Sequence, residues 1–268
     1  MCQMPFVSSI SIYPIKSFGP SSVKAARIVD GGGLEHDREF GLFDAEGKFI
    51  NGKRNAKVHS LTAAIDWKDG IVYFKPINCD GDPYSFNIRY EVPVLENWLT
   101  SLFDEPVTWR RNPGGGFPDD TSAPGPTIIS DSTYEQVATW YSGISVKEIR
   151  RRFRANIELA CEEPFWEDRL FNEPGTVVRF KIGDVEFHGT NPCKRCVVPT
   201  RQTVGGEGNP EFPKIFIVKR QETLPSWATV SRFDHYYRLS INTRVPQSEV
   251  GKQVHVGDAI EIIGVSAA

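Results

Sequence analysis

The segment Asn191-Pro192-Cys193-Lys194-Arg195-Cys196-Val197-Val198-Pro199-Thr200 holds two cysteines three positions apart with two cations between them. Positive charge beside a thiol lowers its pKa, and the thiolate is the form that attacks or ligates a metal. The residues after Cys196 are β-branched or proline, which places the pair on a loop running into a strand. A thioredoxin-type redox pair opens a helix instead, and Val-Val-Pro-Thr is a poor helix start. A zinc ribbon needs a second ligand pair, and the remaining cysteines, Cys2, Cys79 and Cys161, stand alone. These exclusions leave one or two thiolates in a basic loop, suited to a soft metal centre with few protein ligands or to a nucleophile.

Other residues have the chemistry of anion recognition. Lys16 and Ser17 follow the first predicted strand, where an ammonium and a hydroxyl can grip a phosphate. Arg38 is either an anion fork or half of an ion pair with Asp37 or Glu39. In Arg150-Arg151-Arg152-Phe153-Arg154-Ala155-Asn156 the first two arginines suit a solvated helix end that complements the macrodipole. Arg154 and Asn156 fall two apart on a predicted strand, so both point to one face and could hold a planar heterocycle with its phosphate. His188, five residues before Cys193, fits either a proton-shuttling role or a local hydrogen bond. Trp166-Glu167-Asp168 orders a loop or caps it.

The elements that position these residues are mostly short strands. Alternation marks Val7 to Tyr13, with Ile10 and Ile12 on one face. Val23 to Val29 is a second candidate. Glu39–Phe43 with Lys48–Ile50, and Leu61–Trp67 with Ile71–Phe74, read as hairpins. Helical spacing covers Val94 to Phe103. The Gly- and Pro-rich run from Asn112 to Pro126 reads as a boundary or surface loop. Beyond it, Ser132-Thr133-Tyr134-Glu135 has capping-box spacing and opens a helix to about Tyr141. Strands follow at Arg154–Ala160, Val177–Ile182 and Val185–His188, then a helix near Pro213–Arg220. Tyr236–Val245, Gln253–Val256 and Ile260–Ile263 complete the strands. This spacing indicates a barrel or sandwich rather than a doubly wound sheet.

Bulk properties narrow the function classes. A chain of 268 residues with net charge −3 gives no reason to expect a nucleic acid or an anionic membrane as partner. Five cysteines without a regular framework suggest a reducing, intracellular compartment, cytoplasmic or organelle-associated. No apolar run of about 18 residues spans a membrane. The first residues, Met-Cys-Gln-Met-Pro-Phe, have no secretory-signal pattern.

Taken in order, Tyr13-Pro14-Ile15-Lys16-Ser17, Asp37-Arg38, Phe153-Arg154-Ala155-Asn156-Ile157, Trp166-Glu167-Asp168, Pro192-Cys193-Lys194-Arg195-Cys196 and Val256-Gly257-Asp258 resemble the MOSC superfamily. Within it, the chain is similar to the mitochondrial amidoxime-reducing component and its bacterial relatives, from about Phe6 to Gly264. The resemblance implies a predominantly β, α+β fold: a MOSC β-barrel with a packed N-terminal β-barrel-like region and a few helices, divided as 1–115 and 127–268. It implies the molybdenum cofactor (Mo-molybdopterin), with Cys196 as the catalytic thiolate and the one protein ligand to the metal. By the same resemblance Lys16, Ser17, Arg38, Ser130, Ser132, Arg154 and Asn156 hold the pterin and phosphate, Cys193 is a neighbour, and pyridoxal phosphate binding is a family-level property.

The reaction implied is reduction of a small N-hydroxylated or N-oxide substrate. Electrons would come from a separate donor, a cytochrome b5-type heme protein or a flavin reductase. The alternative is a carrier of molybdenum cofactor or of persulfide sulfur, without reductase activity. The chain departs from the resembled pattern at Ala155, where relatives have proline, at Asn51-Gly52-Lys53-Arg54, and in the loop after Thr200.

Overall fold

Val7, Ile10 and Ile12 are the inward residues of the first strand, β1 (Phe6–Ile12). A bulge between Val7 and Ser9 brings all three to one side despite their uneven spacing. In the computed structural model, which describes residues 4–77 and 79–268, β2 (Ser21–Val23) pairs with β1, and β3 (Ala25–Arg27) turns away to pair with residues 253–255. Cys2 lies outside the described residues.

The next segment builds its own apolar core. Its elements are β4 (Phe40–Phe43), β5 (Leu61–Asp66), β6 (Ile71–Pro76), β7 (Tyr84–Asn87), the helix α1 (Val92–Phe103) and β8 (Thr108–Arg111). The expected β5–β6 hairpin forms, turning at Gly70 with φ +68°. The hairpin expected after β4 also closes. The turn at Asp44 forms, its Oδ1 accepting the amides of Glu46 and Lys48 at 3.1 and 2.7 Å. Asp44 N donates to the Lys48 carbonyl and Ile50 N to the Leu42 carbonyl, both at 2.9 Å, around the bridge Phe43–Phe49. β4 pairs in addition along its length with β8, a long-range partner that local spacing does not announce. Trp109 of β8 stacks on Phe40 at 4.8 Å inside this core.

The chain then returns to the first sheet. β9 (Ile128–Ser130) and β10 (Ile157–Ala160) run parallel and are joined through α2 (Asp131–Ala138) and α3 (Val146–Phe153). After them come β11 (Thr176–Ile182), β12 (Val185–Lys194), α4 (Glu211–Glu222), β13 (Arg238–Arg244), β14 (Gln253–His255) and β15 (Ile260–Ala267). The sheet order is β15-β11-β12-β13-β9-β10-β1-β2. The bridge Phe6–Ala259 and the bond from Val7 N to the Asp258 carbonyl (2.8 Å) close it into a barrel. β1 and β2 are thus members of the barrel formed mostly by the second half of the chain. The fold is α+β and predominantly β, and among the described residues no helix is long and apolar enough to cross a membrane.

Two further expectations are corrected. The capping box at Ser132 is absent: α2 begins at Asp131 with Ser130 as its cap residue, so Ser132 already lies in the first turn. The arginine run closes α3, as the reading of Arg150 and Arg151 as a helix end implied, though the sequence elements above include no helix there. Its N-terminus carries the usable signal, Ser145 Oγ accepting the Glu148 amide at 3.2 Å. Helix α3 ends at Phe153, so Arg154 is its cap rather than a strand residue.

Behind the barrel, Glu167 and Asp168 sit in a 3-10 turn (Trp166–Leu170), both buried. Glu167 Oε2 accepts from Ser130 Oγ (2.7 Å), Ser130 N (3.2 Å) and Thr133 Oγ1 (3.0 Å), while Asp168 pairs with buried Arg220 of α4. The turn packs so tightly on β12 that a Cβ on Gly189 would lie 1.7 Å from the Leu170 carbonyl oxygen. Gly189→Ala is therefore expected to destabilise the fold by at least about 2 kcal/mol in urea unfolding, and wild-type stability would contradict this packing.

Burial, helped by the neighbouring Asp168 charge, pushes the Glu167 carboxyl up to about 7. A carboxyl raised by folding binds its proton more tightly in the native state, so its contribution is lost as pH rises from the unfolded carboxyl range through about 7. Glutamine keeps a carbonyl oxygen for the same three donors and cannot ionise. The stability of Glu167→Gln relative to wild type should rise by on the order of 2–3 kcal/mol between about pH 5 and about pH 8. Equal pH dependence in both proteins would show that Glu167 does not titrate there.

Candidate functional site

β12 delivers the cysteine pair. Pro192 sits in this internal strand at a register shift between Pro192 and Lys194, where its missing N–H is tolerated. Its carbonyl accepts from Arg238 at 2.9 Å. Cys193 is thus the penultimate residue of a strand, and the chain beyond Cys196 forms a 3-10 turn (Val198–Thr200). The pair leaves a strand where the sequence suggested that it enters one. Val198 N donates to Cys196 Sγ at 3.4 Å. Arg195 Nη1 donates to Cys193 Sγ at 3.2 Å, and Nη2 donates to the Phe153 carbonyl at 2.5 Å. Arg195 therefore ties the cysteine loop to the end of α3. Burial works against its charge, and the neighbouring Cys193, Cys196, Tyr134 and Tyr237 together outweigh that effect and keep its pKa raised.

Both cysteines face a cleft of about 940 Å³. One wall is the turn after β1, the 3-10 turn Ala56–Ser60 and β5; the other is the 118–127 segment, the end of α3 and the cysteine loop. Eight Lys and Arg side chains line it against two carboxylates, Asp119 and Asp120, in a chain of net charge −3. Low-dielectric walls carrying one sign of charge concentrate anions.

Of the residues expected from sequence, Cys196, Ser17, Arg38 and Arg154 line this cleft. Ser17, Arg38 and Arg154 share a feature no motif displays: each holds a left-handed backbone, φ +77°, +51° and +57°. Such conformations are uncommon outside glycine and gather at functional sites. Arg154 stacks on the Tyr13 ring at 4.2 Å, and its guanidinium makes no hydrogen bond among the described residues. Arg38 pairs with Asp37, whose Oδ1 also accepts from Tyr13 N (2.8 Å) and Asn156 Nδ2 (3.0 Å).

The other expected residues have different places. Lys16 is buried behind the wall, bonded to Asp119 at 2.9 Å and to the Phe117 carbonyl at 2.8 Å. Asn156 is 1% exposed and saturated, donating to Asp37 and the Ser11 carbonyl and accepting from the Thr127 amide and hydroxyl. It fixes Asp37, and through it Arg38. Ser130 and Ser132 are buried and do not line the cleft; the Ser130 hydroxyl is committed to Glu167. His188 bonds Glu186 at 3.1 Å and lies outside the cleft. His59 and Asp119 line the cleft and went unread, and Arg201 brings the divergent loop after Thr200 to it. Asp119 lies in the Gly- and Pro-rich run, where composition signals only a loop.

Known proteins resemble this chain at the level of sequence. Residues 4–99 match the MOSC N-terminal beta barrel domain, and residues 127–261 match the MOSC domain. Molybdenum cofactor sulfurases of Caenorhabditis briggsae and Caenorhabditis elegans are each 23% identical over 226 and 229 residues, and that of Solanum lycopersicum is 24% identical over 249. These matches cover 78%, 78% and 75% of this chain and 31%, 30% and 30% of the relatives, so the chain spans about three tenths of their length. The crystal structure of the YUAD protein from Bacillus subtilis covers 100% of this chain and 98% of its own at 12% identity, with a TM-score of 0.38. Since the MOSC domain alone accounts for half of the residues and its N-terminal barrel companion precedes it, the chain belongs to the MOSC-domain family.

Proposed function

We propose that the cleft holds molybdenum cofactor, with the Cys196 thiolate as protein ligand to the metal, and that the protein reduces N-hydroxylated or N-oxide substrates with electrons from a separate redox partner. The observation that carries this reading is the facing of Cys196 and the unbonded Arg154 guanidinium into one cationic cavity. The donor set fits the group. Soft sulfur suits molybdenum, and guanidinium donors suit a pterin phosphate. Among the described residues no three His, Cys, Asp or Glu side chains converge on a metal site, so a metal bound here would draw its other ligands from a small molecule. The Nε atoms of Arg195 and Arg201 are buried without partners, further donors available at the cleft walls.

When bound, the cofactor supplies the two-electron redox chemistry. The chain's own residues bind and orient. Arg154 and Arg38 offer N–H donors, and Tyr13 beneath them fixes the plane of Arg154. The Val198 amide bonded to Cys196 Sγ and the anchoring of Arg195 on the Phe153 carbonyl hold the cysteine loop in one conformation. Net reduction of an N–OH group consumes two electrons and two protons and releases water, so donor and solvent must both reach the cleft.

The named relatives support a second reading, in which this chain carries the cofactor, or sulfur as a persulfide on Cys196, without reducing substrates. Metal analysis and turnover separate the readings. Wild type from a cofactor-competent host should hold near-stoichiometric molybdenum, and Cys196→Ser should lose at least about tenfold of it while remaining folded. Metal absent from both would refute cofactor binding. Metal present without turnover of N-hydroxylated compounds, with heme and flavin donors both supplied, would favour the carrier.

A further inference from the structure

Lys16 is 5% exposed, and its counter-charge is the Asp119 carboxylate at 2.9 Å. Lys53 approaches the same oxygen at 3.8 Å. The Asp119 side chain is 59% exposed and lines the cleft. The cleft walls desolvate it, which raises its pKa; the charges of Lys16, Arg38 and Lys53 outweigh this and hold it well below the usual carboxylate range. One internal carboxylate thus sits among the cations of one end of the cleft. The backbone on either side is fixed: Phe117 N bonds the Arg38 carbonyl at 2.8 Å, and Asp120 bonds the Ser122 and Ala123 amides and Asn242 Nδ2. The Asp119 side chain can rotate away without moving that backbone.

We propose that Asp119 is an internal anion that competes with a phosphate-bearing ligand for Lys16 and Lys53, so that the ligand's phosphate must displace this carboxylate to reach them. The proposal rests on the reading of the cleft as a site for an anionic cofactor. A phosphate offers more charge and more acceptor oxygens than the carboxylate, so the exchange favours the ligand once it arrives. Until then Asp119 keeps a buried ammonium paired, which an isolated one would not tolerate.

The test is calorimetric titration of the full chain, produced in a host lacking the cofactor, with inorganic phosphate and pyrophosphate. Asp119→Asn is expected to bind them at least about tenfold more tightly than wild type. Its unfolding midpoint without phosphate should be lower, and the rise on adding phosphate larger. Asp120→Asn removes the same charge from the same cleft without touching Lys16, and its affinity should change less than about twofold. Equal gains in the two variants would reduce the effect to bulk charge and overturn the proposal. Unchanged or weaker binding in Asp119→Asn would overturn it too. If Arg154→Ala weakens phosphate binding while Asp119→Asn leaves it unchanged, the anion site stands and the competition falls. Binding by none of the proteins would remove both.

Discussion

Eight cationic side chains around one cavity repel one another, and the partners that surround most of them make that repulsion tolerable. Three kinds of partner do this. Carboxylates take some of the charge: Asp37 beside Arg38, Asp119 beside Lys53, Glu148 beside Arg152. Backbone carbonyls take more, with Phe153 accepting from Arg195 and Gly206 from Arg201. Ring faces hold others. Arg154 and Arg38 lie over Tyr13 at 4.2 and 5.5 Å, Arg195 over Phe153 at 5.2 Å and Arg152 over Phe212 at 5.1 Å.

These partners come from distant parts of the sequence, which is why the architecture matters to the site. Strand β1 is built into the barrel with β10, so its end presents Tyr13, Lys16 and Ser17 beside the end of α3. Asn156 locks that junction by bonding the Ser11 carbonyl and Asp37 at once. The segment from Asn112 to Pro126 connects the two apolar cores and is pinned at both: Phe117 bonds Arg38, and Asn242 of β13 bonds Asp120. A run that composition marks as a loop is therefore part of the cleft wall.

Much of the scaffold was legible in the sequence because local pattern and final environment agree. The β5–β6 hairpin, β11 and α1 combine regular apolar spacing with turn or cap residues, and they form within a few residues of expectation. Legibility failed where a long-range contact decided. β4 takes β8 as a partner besides its own hairpin neighbour, and the barrel claims β1. At the site, Cys196 and Arg154 stand out by residue type, whereas Ser17 and Arg38 were singled out by the family resemblance, and all four line the cleft. Residue type could not separate a hydroxyl facing a ligand from one facing Glu167, because Ser130 reads the same in either case. Asp119 was invisible for the opposite reason: an aspartate in a Gly- and Pro-rich loop is ordinary until Lys16 is seen beside it.

Ring partners and carboxylate partners differ in what they do when an anion arrives. Burial pushes the Tyr13 phenol up to about 12, and its hydroxyl donates to the Ala155 carbonyl, so the ring under Arg154 and Arg38 stays neutral. A neutral ring holds a guanidinium in place and leaves its N–H donors and its charge available. A carboxylate uses both. The site therefore has cations of two availabilities: Arg154 in the cleft, oriented by a ring and unbonded, and Lys16 behind its wall, held by an acid. An incoming phosphate would meet no internal competitor at Arg154 and one at Lys16, which makes Arg154 the natural first contact and Lys16 the later one. That order follows from the difference between a quadrupole and a full negative charge as neighbours.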